Sequence, residues 1–233
     1  NMNMPEEINR ILTDRISDIL FCPSKVAVNN LRKEGFENFG CKIINSGDVM
    51  FDSILYYSKT SPKKSNIINE LNLADFILCT VHRAENTDDF HRLKSIVSAL
   101  NKINESINVV LPLHPRTKKI IEQNNFYTNF LIIDPIGYFD MIELIRRSSL
   151  VMTDSGGLQK EAFFLKKHCV ILRDETEWTE LTDLGFNVIA GSDEDKIINK
   201  VEKMLNKKSD FSINLYGNGN ACKTIVDAIN NIL

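Results

Sequence analysis

The sequence predicts an α/β protein: a doubly wound parallel sheet from about Phe76 to Leu205, preceded by a partial βα set over residues 1–47. Three observations carry that expectation. Short runs of strand character alternate with stretches whose apolar residues recur at helical period. The runs from Phe76 onward are almost continuously apolar, as strands covered on both faces are. Each of these runs also ends in a cluster of polar residues, whereas the opposite ends carry nothing comparable. In a parallel sheet the carboxyl ends of all strands share one rim, where ligands bind.

Met4-Pro5-Glu6-Glu7 reads as a helix opening, with Pro in the first turn and acids complementing the positive helix end. Ile8, Ile11, Leu12, Ile16 and Ile19 continue at helical spacing, so the chain opens on a helix with no strand before it. Ile19–Cys22 is a short strand, Lys25–Glu34 a helix closed by Gly35, Cys41–Asn45 a strand and Asp48–Lys59 a helix. Thr60–Lys64 is polar and contains Pro, which suggests a linker. Beyond it, Phe76–Val81 is a strand followed by HRAEN, and Asp88–Ile103 a helix. Val109–Leu113 is a strand followed by HPR, and a helix starts near Thr117. Leu131–Ile133 is a strand followed by DP, and Tyr138–Arg147 a helix. Leu150–Thr153 is a strand followed by DSGG, and Leu158–Lys167 a helix. Cys169–Leu172 is a strand followed by RDETEW. Val188–Ala190 is the last strand, and Asp193–Leu205 and Ala221–Leu233 are helices around the turn Tyr216-Gly217-Asn218-Gly219-Asn220.

The stretch LVMTDSGGLQKE, residues 150–161, stands out. A buried strand, a turn through Asp154-Ser155-Gly156-Gly157 and an immediate helix build an anion site. Glycine lets backbone approach a ligand, and the first helical N–H groups lack intrahelical partners. Ser155 is placed to cap the helix, and Glu161 lies within reach of a sugar beside a bound phosphate. The plainer reading is a capped turn with Gly chosen for packing.

Each other rim residue also has two readings. His82 is either satisfied by backbone or an imidazole donor beside an anion. Arg83 and Arg173 are either surface partners of Glu85 and Asp174 or diphosphate and cleft residues. Trp178, the only Trp, sits among acids and suits a cleft wall, with Glu177 beside it. His114-Pro115-Arg116 reads as a capped loop, and Glu6 and Glu7 as acids complementing a helix end.

Composition excludes several classes. A net charge of −3 gives no basic field for nucleic acid. No apolar run approaches the ~20 residues that span a bilayer, and no stretch reads as a signal peptide. The five cysteines lack CxxC spacing and read as reduced thiols of a cytoplasmic protein. The four histidines show no HxxxH or HExxH spacing, so no metal site is expected.

Five motifs occur in order: MPEEINR (4–10), TVHRAEN (80–86), TDSGGLQKEA (153–162), LRDETEW (172–178) and YGNG (216–219). On these the chain resembles the non-hydrolysing UDP-N-acetylglucosamine 2-epimerases, sugar-nucleotide enzymes of the GT-B type. The resemblance implies two Rossmann-like domains with a cleft between them. Residues 1–59 then correspond to a remnant of the first domain and an inter-domain helix. Residues 60–233 correspond to the second, UDP-binding domain with a return helix. The family's Gly-rich loop, its catalytic Asp and the Glu of its HxEAG-like motif have no counterpart here, so a truncated chain is expected. It should bind UDP and be inactive alone.

The implied reaction inverts C2 of a UDP-2-acetamido sugar by eliminating and re-adding UDP. By resemblance Glu6 and His82 are catalytic. Arg83, Ser155, Gly156, Gly157 and Glu161 bind UDP, and Arg173, Glu177 and Trp178 form a sugar or cleft wall. No metal or organic cofactor is implied. Trp178 stands where commoner members carry the Arg of ERPE, and His114-Pro115-Arg116 replaces HxNP. Both variants look like the branch acting on modified sugars, such as diacetamido-glucuronate or 6-deoxy sugars, in capsule and O-antigen synthesis. The competing readings are a GT-B glycosyltransferase donor domain, which has no need of the PEExNR acid, and a non-catalytic UDP-binding module. The expected partners are a UDP-sugar and a second copy of the chain, as a homodimer or other homo-oligomer, with no nucleic acid or membrane.

Overall fold

The computed structural model describes residues 5–72 and 74–231. Met4, at the expected helix opening, and residues 232–233, at the expected end of the last helix, lie outside the described residues. The chain forms two compact units, Asn1–Leu55 with Ile213–Leu233, and Tyr56–Ser212.

In the first unit, strands β1 (Ile19–Cys22) and β2 (Lys42–Asn45) pair in parallel. Leu20, Cys22, Leu31 and Phe36 form the buried centre between them and helix Lys25–Lys33. The segment from Ile213 is tied in through backbone. Gly47 and Gly217 both hold positive φ, and a Cβ on Gly47 would stand 3.0 Å from the Tyr216 carbonyl oxygen. Only glycine permits that approach, and it lets Asp48 N–H donate to the same carbonyl at 2.9 Å. The Asp52 carboxylate then accepts from Ala221 N at 3.1 Å and Cys222 N at 2.7 Å, satisfying the open end of helix Ala221–Asn230.

The second unit is an α/β sheet of six parallel strands with helices on both faces. The strands are β3 (Phe76–Thr80), β4 (Asn108–Pro112), β5 (Leu131–Ile133), β6 (Leu150–Thr153), β7 (Cys169–Ile171) and β8 (Asn187–Ile189). Their spatial order is β5-β4-β3-β6-β7-β8. The chain runs outward from β3 to one edge, returns to its other side and runs to the opposite edge. The order therefore reverses between β3 and β6, which makes a crevice above those two strands.

Alternation along the strands shows why both faces are covered. Ile77, Cys79, Val109, Leu111, Leu150 and Met152 pack with helices Phe90–Asn104 and Glu194–Leu205. Phe76, Leu78, Val110, Val151, Cys169 and Ile171 pack with helices Tyr138–Arg147 and Gly156–Phe164. All five cysteines are free thiols, and Cys22, Cys79 and Cys169 are buried.

The structure corrects the expected linker at Thr60–Lys64. Ser61–Lys64 is a short helix. Ser61 is fully buried and donates its hydroxyl to Glu143 Oε1 at 2.5 Å. Pro62 stands in the first turn, where its missing N–H costs nothing, so the residue read as a breaker starts a helix. A second short helix, Ile67–Leu71, lays Ile67, Ile68 and Leu71 on the same core face. The helix expected from Asp88 starts instead at Phe90. Asp89 caps it by accepting from His91 N and Arg92 N, and Ala84–Thr87 forms a separate turn of helix.

Candidate active site

The crevice between β3 and β6 gathers the polar residues that follow those strands. The floor is set by register. Thr80 pairs with Thr153, and their hydroxyls lie 2.6 Å apart in the buried sheet. Thr153 Oγ1 then accepts from Ser155 N at 2.9 Å, which fixes the turn out of β6.

Asp154 is fully buried at this point. Its carboxylate accepts from the backbone N–H of His82 at 3.0 Å and of Arg83 at 3.0 Å, and from Asn86 Nδ2 at 3.1 Å. His82 Nδ1 lies 3.2 Å from the same carboxylate, while 52% of the His82 side chain is exposed. Hydrogen bonding to Asp154 holds the His82 imidazole above the ordinary histidine range, against partial burial and the charge of Arg83. Burial alone would raise the Asp154 carboxyl. The bonds and charge from His82, with the Arg83 N–H and the Asn86 amide, outweigh it and hold the group low.

Helix Gly156–Phe164 begins immediately after. Ser155 is its N-cap and accepts from Leu158 N at 3.4 Å. Gly156 and Gly157 were expected in the turn; they are the first two helical residues, without positive φ. Their N–H groups therefore belong to the open first turn. Glu161 lies farther along this helix and is partly buried. Burial pushes its carboxyl up to about 7, with Lys160 opposing. The Tyr138 hydroxyl is pushed up to about 12 by burial and by the charges of Glu161 and Tyr57.

A third loop, after β7, closes over the first turn of this helix. Arg173 is buried, at 2% exposure, and its Nη1 donates to both Glu177 oxygens at 3.0 and 2.9 Å. Glu177 also lies 4.0 Å from the Arg83 guanidinium. A Cβ built on Gly156 would meet Glu177 Oε2 at 3.4 Å. Trp178 Nε1 donates to the Gly156 carbonyl at 2.8 Å, and the Lys160 ammonium stands 4.0 Å from the centre of its ring.

His82, Arg83, Ser155, Gly156, Arg173, Glu177 and Trp178 thus gather around this turn, with Gly157 next in the helix and Glu161 further along it. Glu6 belongs to the other unit and is exposed in helix Pro5–Ile16, where Glu7 rather than Glu6 pairs with Arg10, at 2.9 Å.

Of the two readings open for Arg83 and Arg173, surface pairing with Glu85 and Asp174 gives way, because the close partner of these two acids is a different arginine. Both bind Arg92, at 3.1 and 2.9 Å. Arg92 also donates Nε to Asn86 Oδ1 at 3.1 Å. Arg173 is a buried residue rather than a surface one. His114 caps helix Pro115–Gln123 by accepting from Arg116 N, and Arg116 pairs with Asp88 at 2.7 Å.

Sequence reasoning assigned no role to Asp154, Asn86, Arg92 or Lys160. Asp154 and Asn86 stand inside the quoted loops and could have been found there. Arg92 opens an ordinary amphipathic helix and carries no local signal. Among the described residues, no group of three or more His, Cys, Asp or Glu is placed to hold a metal ion. Among the same residues no helix is long and apolar enough to cross a membrane.

Comparison with known proteins gives a consistent result. A family model described as UDP-N-acetylglucosamine 2-epimerase matches residues 1–230. The chain is similar to the UDP-2,3-diacetamido-2,3-dideoxy-D-glucuronate 2-epimerase of Pseudomonas aeruginosa, with 51% identity over 97% of this chain and 64% of that protein. It is 41% identical to the UDP-N-acetylglucosamine 2-epimerase of Methanocaldococcus jannaschii, over 96% of this chain and 64% of the relative. The crystal structure of an enzyme of that name and organism, in complex with UDP-GlcNAc and UDP, superposes with a TM-score of 0.90 at 41% identity, over 99% of this chain and 66% of that one. The enzyme of Neisseria meningitidis bound to UDP-GlcNAc gives 0.80 at 28% identity, over 97% and 65%. The chain thus spans a little under two thirds of the length of these relatives.

Proposed function

The chain belongs to the UDP-N-acetylglucosamine 2-epimerase family, and on that premise we propose that its second unit holds the UDP half of a UDP-2-acetamido sugar. The observation that carries this is the pairing of a rim histidine with a buried carboxylate, beside an open helix N-terminus, at the point where the strand order reverses. Such a crevice offers N–H donors and a protonatable imidazole to a diphosphate.

Ser155, Gly156 and Gly157 meet the phosphates, with Arg83 and His82 alongside. Glu161 takes the ribose hydroxyls. Arg173, Glu177 and Trp178 wall the sugar side, and Glu6 is a carboxylate for the reacting carbon. The reaction is inversion at C2. The C2 proton leaves to a base, the anomeric C–O bond breaks and UDP departs with the electron pair. UDP then adds back while a proton returns to the opposite face of C2. The protein supplies donors to the departing diphosphate, where negative charge develops. No cofactor is required. The similarity to the diacetamido-glucuronate enzyme supports a modified sugar as substrate.

The resemblance also calls for a catalytic Asp and an HxEAG Glu that these 233 residues do not contain. We therefore expect the chain to bind UDP without exchanging the C2 hydrogen. In calorimetry UDP should bind and uridine should bind much more weakly. In deuterated solvent no label should enter C2 of UDP-N-acetylglucosamine. Incorporation of deuterium would overturn the second expectation, and no heat at millimolar UDP would overturn the first.

We also propose self-association through the first unit. Ile8, Leu12 and Ile16 are exposed along one helix, Ile16 at 85%, and among the described residues β1 and β2 form a two-stranded sheet. Isolated two-stranded sheets and contiguous exposed apolar residues are stabilised by a partner surface. Light scattering should give a mass of at least twice 26.6 kDa; a monodisperse monomer at high concentration would refute this.

A further inference from the structure

We propose that Asp154 is a positioning residue for His82. It fixes the imidazole with Nδ1–H toward itself, and so presents Nε2 at the rim as the nitrogen that meets the diphosphate. The diphosphate part rests on the functional reading above; the orientation of the ring stands on geometry alone.

An ionised carboxylate only accepts, so a ring nitrogen 3.2 Å from it brings the proton. That makes Nδ1–H the form of the neutral ring, with a lone pair on Nε2. On protonation Nε2 becomes a second donor, on the side of the ring away from Asp154. An anion at that position then meets a cation whose counter-charge is buried beneath it.

The carboxylate itself has little freedom. It is fully buried and held by two backbone N–H groups, from His82 and Arg83, which belong to the loop that carries the imidazole. Asn86 supplies a further donor at 3.1 Å, and the network fixes which way its amide faces. Arg92 has only donors, so the oxygen of Asn86 must face its Nε at 3.1 Å. The amide nitrogen then faces Asp154 and the Leu172 carbonyl, at 3.1 and 2.8 Å. Arg92 is anchored in turn by Glu85 and Asp174. Three loops, after β3, β6 and β7, are thereby locked around one buried carboxylate. The charged groups that act on the imidazole are Asp154 from the β6 loop, which favours the cation, and Arg83 from its own loop, which opposes it.

The test uses the 233-residue chain labelled with ¹⁵N-histidine, the His82 signals being assigned with His82→Gln. In the unsubstituted chain, neutral His82 should show the shifts of the Nδ1–H form, opposite to the usual preference of free imidazole. It should titrate above 6.5. Asp154→Asn should lower that midpoint by about one unit or more, cut UDP affinity at pH 7 about tenfold and flatten its pH dependence. Neutral His82 in the Nε2–H form overturns the proposal, and that measurement needs no variant to fold. Nδ1–H shifts with His82 signals that do not respond to UDP leave the ring orientation intact but overturn the diphosphate reading on which its use depends.

Discussion

Removing the Glu177 carboxylate should destabilise the Tyr56–Ser212 unit by about 3 kcal/mol, the low end of what breaking a buried ion pair costs. Arg173 is the reason. It is 2% exposed, and its Nε has no hydrogen-bond partner among the described residues. Glu177 is therefore its principal compensation, through both oxygens. In Glu177→Ala the guanidinium stays charged and buried with that compensation gone. The low end applies because 41% of the Glu177 side chain is exposed, so water can partly replace it. Glu177→Gln keeps an acceptor and should cost less. Arg173→Met combined with Glu177→Ala should cost less than Glu177→Ala alone, since no unpaired charge remains.

The pH dependence has a definite sign. Burial would raise the Glu177 carboxyl, but the Arg173 hydrogen bond and the charges of Arg173 and Arg83 hold it below its ordinary 4.5. A depressed folded value gives stability that is present above 4.5 and lost as pH falls through the folded value. The gap between the wild-type chain and Glu177→Ala should therefore narrow in acid. Urea midpoints at pH 7 and pH 4 would show it, and an unchanged midpoint at pH 7 would rule the pairing out as a source of stability.

The sheet was readable in the sequence because its strands are buried on both faces, and continuous apolar runs such as Phe76–Val81 leave little choice. The rim was readable because all six strands run parallel, so polar residues after each run share one side. Short helices were harder. Ser61–Lys64 and Thr179–Asp183 are too brief to show a period, and Pro62 looked like a breaker. The side-chain network was harder still. Arg92 binds residues six, seven and 82 positions away, so no local pattern marks it. Asp154 lies inside the DSGG motif, but its partners are brought to it only by the pairing of β3 with β6. Glycine was misplaced for a related reason. A Gly pair suggests a turn, but at 156 and 157 it forms the first turn of a helix packed under Glu177 and Trp178.

Glu161→Ala should weaken UDP binding at least about tenfold at pH 8 if its carboxylate takes the ribose hydroxyls. A hydrogen bond to a charged group contributes about 1.5–3 kcal/mol, and each 1.4 kcal/mol is tenfold. Removing the ligand's half of the contact tests the assignment. 2′-deoxy-UDP should bind the wild-type chain more weakly than UDP does, while Glu161→Ala should hardly distinguish the two. An equal penalty in both proteins would mean that the 2′-hydroxyl meets another residue.

Acidity supplies a second handle. Burial holds the Glu161 carboxyl at about 7 in the free chain, so at pH 6 most molecules carry it protonated. Hydroxyl donors favour the ionised form, and binding at pH 6 must then release a proton. The contribution of Glu161 should fall by up to about tenfold per unit below pH 7, a slope that Glu161→Ala lacks. For folding the sign is opposite. A raised folded value gives stability that is present below 4.5 and lost as pH rises through about 7. The carboxylate that would grip the ribose is thus one the folded chain holds at a cost in neutral solution. UDP titrations of both proteins from pH 6 to 8 read the difference directly, and parallel pH profiles would remove Glu161 from the binding site.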